Sequence, residues 1–283
     1  MVDISILKKS LEEIETITNQ QWLDGLDERK KKELEFHDKD RDASRKDSLD
    51  KDTYEKIYGN RKYYKATGLS STYVDNWIRE NSRDRVFLDY ACGNGGNAIK
   101  AANYGAKLSI GLDLSQVSVE NAKREATKAG VDKNTCFIQA DAENMMLPNG
   151  SIDTVICSGM LHHLDLSYAF PELRRILSPG GKILAIEALD YNPAIKLYRY
   201  ITPQMRTDWE KANILSLKDI RFAKRFFQVE NIRYWHITSI LAPHMMSMLP
   251  ALNCLDKFLT RIRIVRLMAW IFTFELIKLS DGK

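Results

Sequence analysis

Paired cysteines are missing from this sequence. Its four, Cys92, Cys136, Cys157 and Cys254, are scattered without disulfide or metal-ligand spacing, which excludes a cross-linked scaffold and points to a reducing, cytoplasmic setting. A long apolar run is missing too. The most apolar late stretch, "LMAWIFTFELIKL", is broken by Glu275 and Lys278 and follows Arg261, Arg263 and Arg266, so it falls short of a bilayer-spanning helix and reads as a core strand. The opening "MVDISILKKS" has no apolar signal region. Charge is nearly balanced, 42 basic against 38 acidic side chains for a net +4, and without an aromatic-plus-basic strip this argues against a nucleic-acid partner.

What is present is a chain of 283 residues, long enough to bury a substantial core as one elaborated domain. Residues 1 to 36 show helical spacing, with Ile6, Leu7, Leu11, Ile14 and Ile17 on one stripe and Trp22, Leu23 and Leu26 on a second helix. "HDKDRDASRKDSLDKD", residues 37 to 52, is almost free of apolar side chains and is expected to be a solvated loop or mobile segment. From Arg85 onward strands alternate with helices: "RVFLDYA", "KLSIGLDL", "TCFIQAD", "IDTVICSGML" and "KILAIEAL" are separated by helical patterns or turns. That alternation predicts parallel pairing through right-handed crossovers, hence an α/β doubly wound sheet. Beyond Leu189 a Tyr-, Arg- and Trp-bearing segment reads as a lid, and a last strand returning antiparallel is expected at the sheet edge. The expected division is a helical cap over 1–80, a ligand-binding core over 81–190, and a lid with the completion of the sheet over 191–283.

The stretch "FLDYACGNGGNAIK" ends an expected strand in a turn where Gly93, Gly95 and Gly96 let backbone approach a ligand without a Cβ in the way. Glycine spacing alone is a weak signal, and three acids at successive strand ends strengthen it. Asp113, ending "SIGLDLS", can accept two hydrogen bonds from a ribose diol, though it or Ser115 could instead cap the next helix. Asp141, with Ala142, can take an adenine amino group. Asp89, four positions before Gly93, would repel a phosphate, which favours a cationic or zwitterionic nucleoside over a dinucleotide.

"LDYACGNGG", "GLDLS", "FIQADAENMMLPNGSIDTVICSGMLHHL" and "LRRILSPGGKILAIEAL", in this order, resemble the successive motifs of class I S-adenosylmethionine-dependent methyltransferases of the small-molecule type. The resemblance spans roughly residues 85 to 190. It implies a mostly parallel, seven-stranded Rossmann-like sheet with an antiparallel last strand, and S-adenosyl-L-methionine as cofactor. It implies Asp89, Ala91, Gly93 and Gly95 around the methionine portion, Asp113 on the ribose hydroxyls, Leu114 against the adenine, Asp141 and Ala142 at the adenine edge, and Ser158 near the methionine end. It names no substrate.

For a methyl acceptor that must lose a proton, a nearby base contributes roughly 10²–10⁴-fold. "SGMLHHL" supplies His163 and His162 as candidates, His163 named first, although nothing in the sequence chooses between them and either could merely cap or pack. No metal is expected, since no clustered carboxylates accompany the pair. The acceptor pocket is expected to be lined by Tyr191, Tyr198, Tyr200, Met205 and Trp209 with Arg199 and Arg206, which suits an apolar, ring-containing small molecule carrying a polar group. Phe36, Tyr63 or Tyr64 could reach the cofactor from the cap, and Met245, Met246 and Met248 add an adaptable apolar surface that leaves room for a peripheral membrane contact. O-methylation of a small molecule leads. C-methylation of a quinone- or lipid-like acceptor, and a nonenzymatic S-adenosylmethionine-binding regulator, are the alternatives.

Overall fold

The computed structural model describes residues 3–41 and 48–279. At its centre, β1 (Val86–Tyr90) and β2 (Leu108–Asp113) are buried along their whole length. Strands covered on both faces read as continuous apolar runs rather than alternating ones, which is the pattern of a sheet sandwiched by helices. β3 (Thr135–Gln139), β4 (Ile152–Ser158), β5 (Leu177–Ala188), β6 (Gln228–Trp235) and β7 (Ile271–Ile277) complete a seven-stranded sheet of order β3-β2-β1-β4-β5-β7-β6. β1 to β5 pair in parallel, and β7 runs antiparallel to both β5 and β6.

The last strand is antiparallel, as expected, and it is inserted next to the edge, between β5 and β6. Its side chains explain the placement: β7 is buried at six successive positions and needs a neighbour on each side, whereas β6 is mostly exposed and tolerates an open flank. β6 also carries a register break between Glu230 and Arg233, with Asn231 at φ +49°, the sort of irregularity that blunts an edge.

Preceding the sheet are α1 (Ile4–Glu15), α2 (Asn19–Gly25), α3 (Glu28–Arg41), α4 (Lys51–Tyr58), a 3₁₀ segment (Gly59–Ala66) and α5 (Gly68–Ser82). α1 buries Leu7, Leu11 and Ile14 against the sheet, and a capping box between Thr18 and Gln21 starts α2. α3 corrects the sequence reading. The polar run expected to be a loop from residue 37 is helical through Arg41, and a further helix starts at Lys51; its residues 42–47 lie outside those described. Low hydropathy misled because this helix meets charged strand ends, not an apolar face.

Between the strands lie α6 (Gly96–Asn103), α7 (Gln116–Lys128) and α8 (Leu166–Ile176), and after β5 come α9 (Pro193–Ile201), α10 (Asp208–Asn213) and α11 (Leu217–Ala223). α12 (Leu249–Leu259) precedes β7. One face of the sheet packs Leu88, Ile110, Val155 and Phe170, the other Trp77, Ile78, Phe87 and Ile156. Strand order reverses between β1 and β4, so the loops after these two strands diverge and leave a crevice at their carboxyl ends.

Candidate functional site

The turn after β1 forms one wall of that crevice. Ala91, Gly93 and Gly95 have φ of +55°, +54° and +76°. At Gly95 a Cβ would lie 2.6 Å from the Phe137 ring and 2.9 Å from the Ala122 Cβ, so conformation and space both require glycine. Asp89 points back into the fold: buried, it accepts from the Ala98 N–H at 3.1 Å and from Asn97 at 3.4 Å at the start of α6, and lies on neither cavity wall described below. Burial pushes its carboxyl up to about 7.

Asp113, at the end of β2, accepts from the Gly93 N–H at 2.8 Å and the Ser115 N–H at 2.9 Å. Ser115 takes the capping position of α7, which leaves Asp113 for other partners. Beyond β3, Asp141 accepts from the Glu143 N–H at 2.9 Å, and Gln139 fixes the carbonyl of Leu114 at 2.9 Å. The acids thus sit on a braced backbone, with oxygens facing α3.

α3 lies across them. At helical spacing, Lys30, Glu33, His37 and Arg41 form a polar stripe. Lys30 Nζ reaches Asp141 at 2.6 Å and Glu143 at 2.9 Å, Arg29 binds Glu143 at 2.7 Å and the His163 carbonyl at 3.0 Å, and Arg41 lies 3.3 Å from Asp113. Burial opposes the Lys30 charge, but the two carboxylates outweigh it and hold its pKa above the usual lysine range. Glu33 accepts from His163 Nδ1 at 2.8 Å, and the His37 and His163 rings meet edge to face at 4.6 Å. Burial, then the neighbouring positive charges, pushes His37 to about 3 and His163 to about 4, so both are neutral at physiological pH.

The loop after β4 carries Ser158, Gly159 and a single 3₁₀ turn, Leu161–His163. Here Glu187 of β5 organises the site. Its Oε1 accepts from the N–H groups of Met160 at 3.0 Å and Leu161 at 2.8 Å, and its Oε2 lies 2.6 Å from His162 Nδ1. Burial lowers the His162 pKa, but the Glu187 carboxylate more than reverses this and leaves it raised. A carboxylate on Nδ1 fixes the tautomer with Nε2 as acceptor.

Two cavities meet at this loop. The smaller, about 160 Å³, lies beneath α3 and is bounded by Ala91, Asp113, Leu114, Asp141, Ala142, Ser158 and His163. The larger, about 990 Å³, is bounded by Phe36, Tyr64, Ser158, His162, His163, Glu187, Met205, Glu210 and Trp270. His37, Ser158, Gly159 and His163 border both. The predicted residues of the nucleoside side are thus gathered on one hollow, with Gly93 and Gly95 shaping its turn and Asp89 behind it.

The acceptor side differs from expectation. Of the residues expected there, Met205 lines the larger cavity; Tyr191 and Trp209 face a separate hollow, Tyr198 meets Tyr63 edge to face at 5.8 Å, and Tyr200 is exposed. Arg199 pairs with Asp190 and Arg206 with Glu210. α9 turns Ile195 inward, so its remaining aromatic and aliphatic side chains point elsewhere. His236 is a satisfied core histidine, bonded to Ser70 at 2.8 Å and Ser239 at 2.9 Å. Glu33, His37 and His163, and likewise His162, His163 and Glu210, bring nitrogen and oxygen atoms within 4.8 Å of one another, so each set has ligand chemistry a cation can use. In this arrangement Glu33 is already engaged by His163.

Comparison with known proteins assigns the central segment. Residues 88–185 match the family described as a methyltransferase domain. These residues form a class I S-adenosylmethionine-dependent methyltransferase domain. Over 101 residues, 35% of this chain, the sequence is 38% identical to 27-O-demethylrifamycin SV methyltransferase of Amycolatopsis mediterranei, covering 37% of that protein. Over 120 residues, 42% of the chain, it is 32% identical to a sterol 24-C-methyltransferase of Aspergillus fumigatus, covering 32% of it. A ubiquinone/menaquinone biosynthesis C-methyltransferase of Rickettsia bellii is 30% identical over 128 residues, 42% of this chain and 51% of that one. The chain thus spans between about a third and a half of the length of these curated relatives. In fold, the methyltransferase domain and its surroundings resemble the cyclase SpnF (TM-score 0.53, 18% identity, 74% of this chain and 81% of that one) and geranyl diphosphate C-methyltransferase from Streptomyces coelicolor (TM-score 0.54, 16% identity, 74% and 79%).

Sequence reasoning missed Glu187, Lys30 and Arg41. Glu187 had a signal, a lone acid inside the apolar strand "KILAIEAL", because unpaired carboxylates are almost never buried. Lys30 and Arg41 are legible as a stripe only once strand-end acids are known to face them.

Proposed function

We propose that this protein transfers the methyl group of S-adenosylmethionine to a small lipophilic molecule, at oxygen, with the cofactor beneath α3 and the acceptor in the larger cavity. The observation that carries this reading is the meeting of the two cavities at Ser158, Gly159 and His163, acids on one side and the His162–Glu187 pair on the other. The donor set fits an adenosyl group: Asp113 and Asp141 already accept from the Arg41 guanidinium and the Lys30 ammonium, between the apolar walls of Leu114 and Ala142. Bound there, S-adenosylmethionine would supply a methyl group already activated by its sulfonium charge.

The residues do the rest. Asp113 would hold the ribose hydroxyls and Asp141 the adenine amino group, with Ala91 and Ser158 toward the methionine end. A hollow of about 160 Å³ is below the roughly 300–1,000 Å³ of sites for molecules of this size, so α3 lifts to admit the nucleoside and closes to exclude water. His162, its Nδ1 held by Glu187, takes the acceptor's proton at Nε2; its raised pKa suits that task better than His163, which burial and the adjoining His162 keep neutral and Glu33 holds in place. The 1–80, 81–190 and 191–283 segments act respectively as cap, cofactor core, and lid with sheet completion.

Carbon methylation is the second reading, favoured by the names of the sterol and quinone relatives. Incubation with methyl-¹³C-labelled S-adenosylmethionine and a panel of phenols and quinols separates the two, because O-methyl and C-methyl carbons differ in chemical shift. Tight cofactor binding with no labelled product from the panel or from a lipid extract supports a nonenzymatic regulator instead.

A further inference from the structure

Eight of the nineteen exposed large hydrophobic side chains among the described residues fall within residues 241–264: Leu241, Met245, Met246, Met248, Leu255, Phe258, Ile262 and Ile264. α12, inside this segment, is turned inside out for a soluble surface helix. Its buried residue is an acid, Asp256, whose oxygens accept from the N–H and hydroxyl of Thr238, both at 2.7 Å, and from the Ser239 N–H at 3.1 Å. Outward go Leu255 (45% exposed) and Phe258 (60%), with Ile262 one turn on and Ile264 (78%) beyond. Positions 251, 255 and 258 repeat at helical spacing, so Ala251, Leu255 and Phe258 form an outer stripe on α12, and the exposed Ile262 follows in the turn beyond the helix. Lys257, Arg261 and Arg263 are exposed among them, and the segment's single carboxylate is the buried Asp256.

We propose that this face docks on an anionic lipid surface, α12 lying in the interface plane with its apolar stripe in the headgroup boundary and its cations on lipid phosphates. An apolar stripe flanked only by positive charge suits that environment. A second copy of the chain fits poorly, because a self-complementary interface would set these cations against their own equivalents. Among the described residues no helix is long and apolar enough to cross a membrane, so the contact is peripheral. The docked face adjoins the larger cavity: the 3₁₀ turn Ser239–His244 packs on Gly59–Ala66, which contributes Tyr64 to that cavity, and the His244 and Tyr63 rings lie 6.2 Å apart. Docking therefore brings the cavity rim beside the bilayer, which makes the acceptor a membrane-dissolved molecule; this last step rests on the methyl-transfer reading, the docking does not.

Co-sedimentation with vesicles tests it, comparing phosphatidylcholine alone with a mixture containing phosphatidylglycerol. The full chain should bind the anionic vesicles, weaken as salt is raised, and leave neutral vesicles largely unbound. Phe258→Ser with Ile264→Ser should reduce binding at least tenfold. Lys257→Gln with Arg261→Gln and Arg263→Gln should remove the salt dependence, each cation counting for roughly fivefold. Both variants should keep the wild-type melting temperature and S-adenosylmethionine affinity. No binding to anionic vesicles, or equal binding by both variants, overturns the proposal, and so does a dimer in light scattering that Phe258→Ser with Ile264→Ser dissociates. Loss of cofactor binding in the wild type with vesicle binding intact refutes the methyl-transfer reading and leaves the docking standing.

Discussion

The guanidinium of Arg41 lies 3.3 Å from the carboxylate of Asp113, so the end of α3 holds the acid proposed to take a ribose. A partly exposed ion pair of this kind is worth about 1 kcal/mol or less, enough to hold a lid and not enough to lock it. Arg41→Gln should leave the fold intact and tighten S-adenosylmethionine binding by up to about fivefold, because the nucleoside no longer competes with a guanidinium. Titration calorimetry on wild type and variant reads this directly; weaker binding in the variant would make Arg41 a cofactor ligand instead of a competitor.

His162 and Glu187 act as a pair. Removing the carboxylate by Glu187→Gln takes away the influence that raises the His162 pKa and the acceptor that fixes its tautomer. Turnover should fall by about 10²-fold or more, and the acidic limb of the pH–rate profile should move to lower pH. His163→Gln should leave that limb where it is. A profile unchanged in Glu187→Gln would remove Glu187 as the positioning residue.

Glycines two residues apart should behave differently. Gly95→Ala combines a φ of +76° with a Cβ 2.6 Å from the Phe137 ring, and strain plus overpacking predicts a loss of about 2–5 kcal/mol. Gly93→Ala, at φ +54°, meets only the movable end of Arg41 at 3.3 Å, and should cost about 1–2 kcal/mol. Denaturant unfolding of both variants checks the order.

His236 makes stability depend on pH. Burial lowers its folded pKa from 6.5 to about 4, so between those values the unfolded chain binds the proton and the folded one does not. The stability is fully present above 6.5 and is lost as pH falls toward 4, by up to about 1.4 kcal/mol per pH unit for one proton. His37 and His163 have the same sign; Asp89, raised to about 7, has the opposite sign because its folded form binds the extra proton. Unfolding free energies of wild type and His236→Asn at pH 4.5 and 6.5 should differ in slope by close to one proton. Equal slopes would mean that His236 is charged in the fold.

The central strands were legible because a sheet covered on both faces imposes apolar runs that turns and helices punctuate, as "RVFLDYA" and "KLSIGLDL" do. Strand-end acids were legible for the same reason: Asp113 and Asp141 interrupt such runs. α3 was not. Its contacts are between charges far apart in sequence, Lys30 to Asp141 and Arg41 to Asp113, and a polar segment carries no local sign of what it will meet. The acceptor side failed similarly, since whether Tyr198 or Tyr200 faces a cavity depends on the rotation of a short helix set by Ile195. The insertion of β7 between β5 and β6 is a long-range pairing that strand order alone does not express.

Calorimetric titration of purified, ligand-stripped protein with S-adenosylmethionine and with its demethylated product, beside Asp113→Ala, tests the central claim most directly. The account predicts saturable binding of both nucleosides to the wild type and at least tenfold weaker binding to the folded variant. No binding of either to the wild type, or equal binding to the variant, would contradict it.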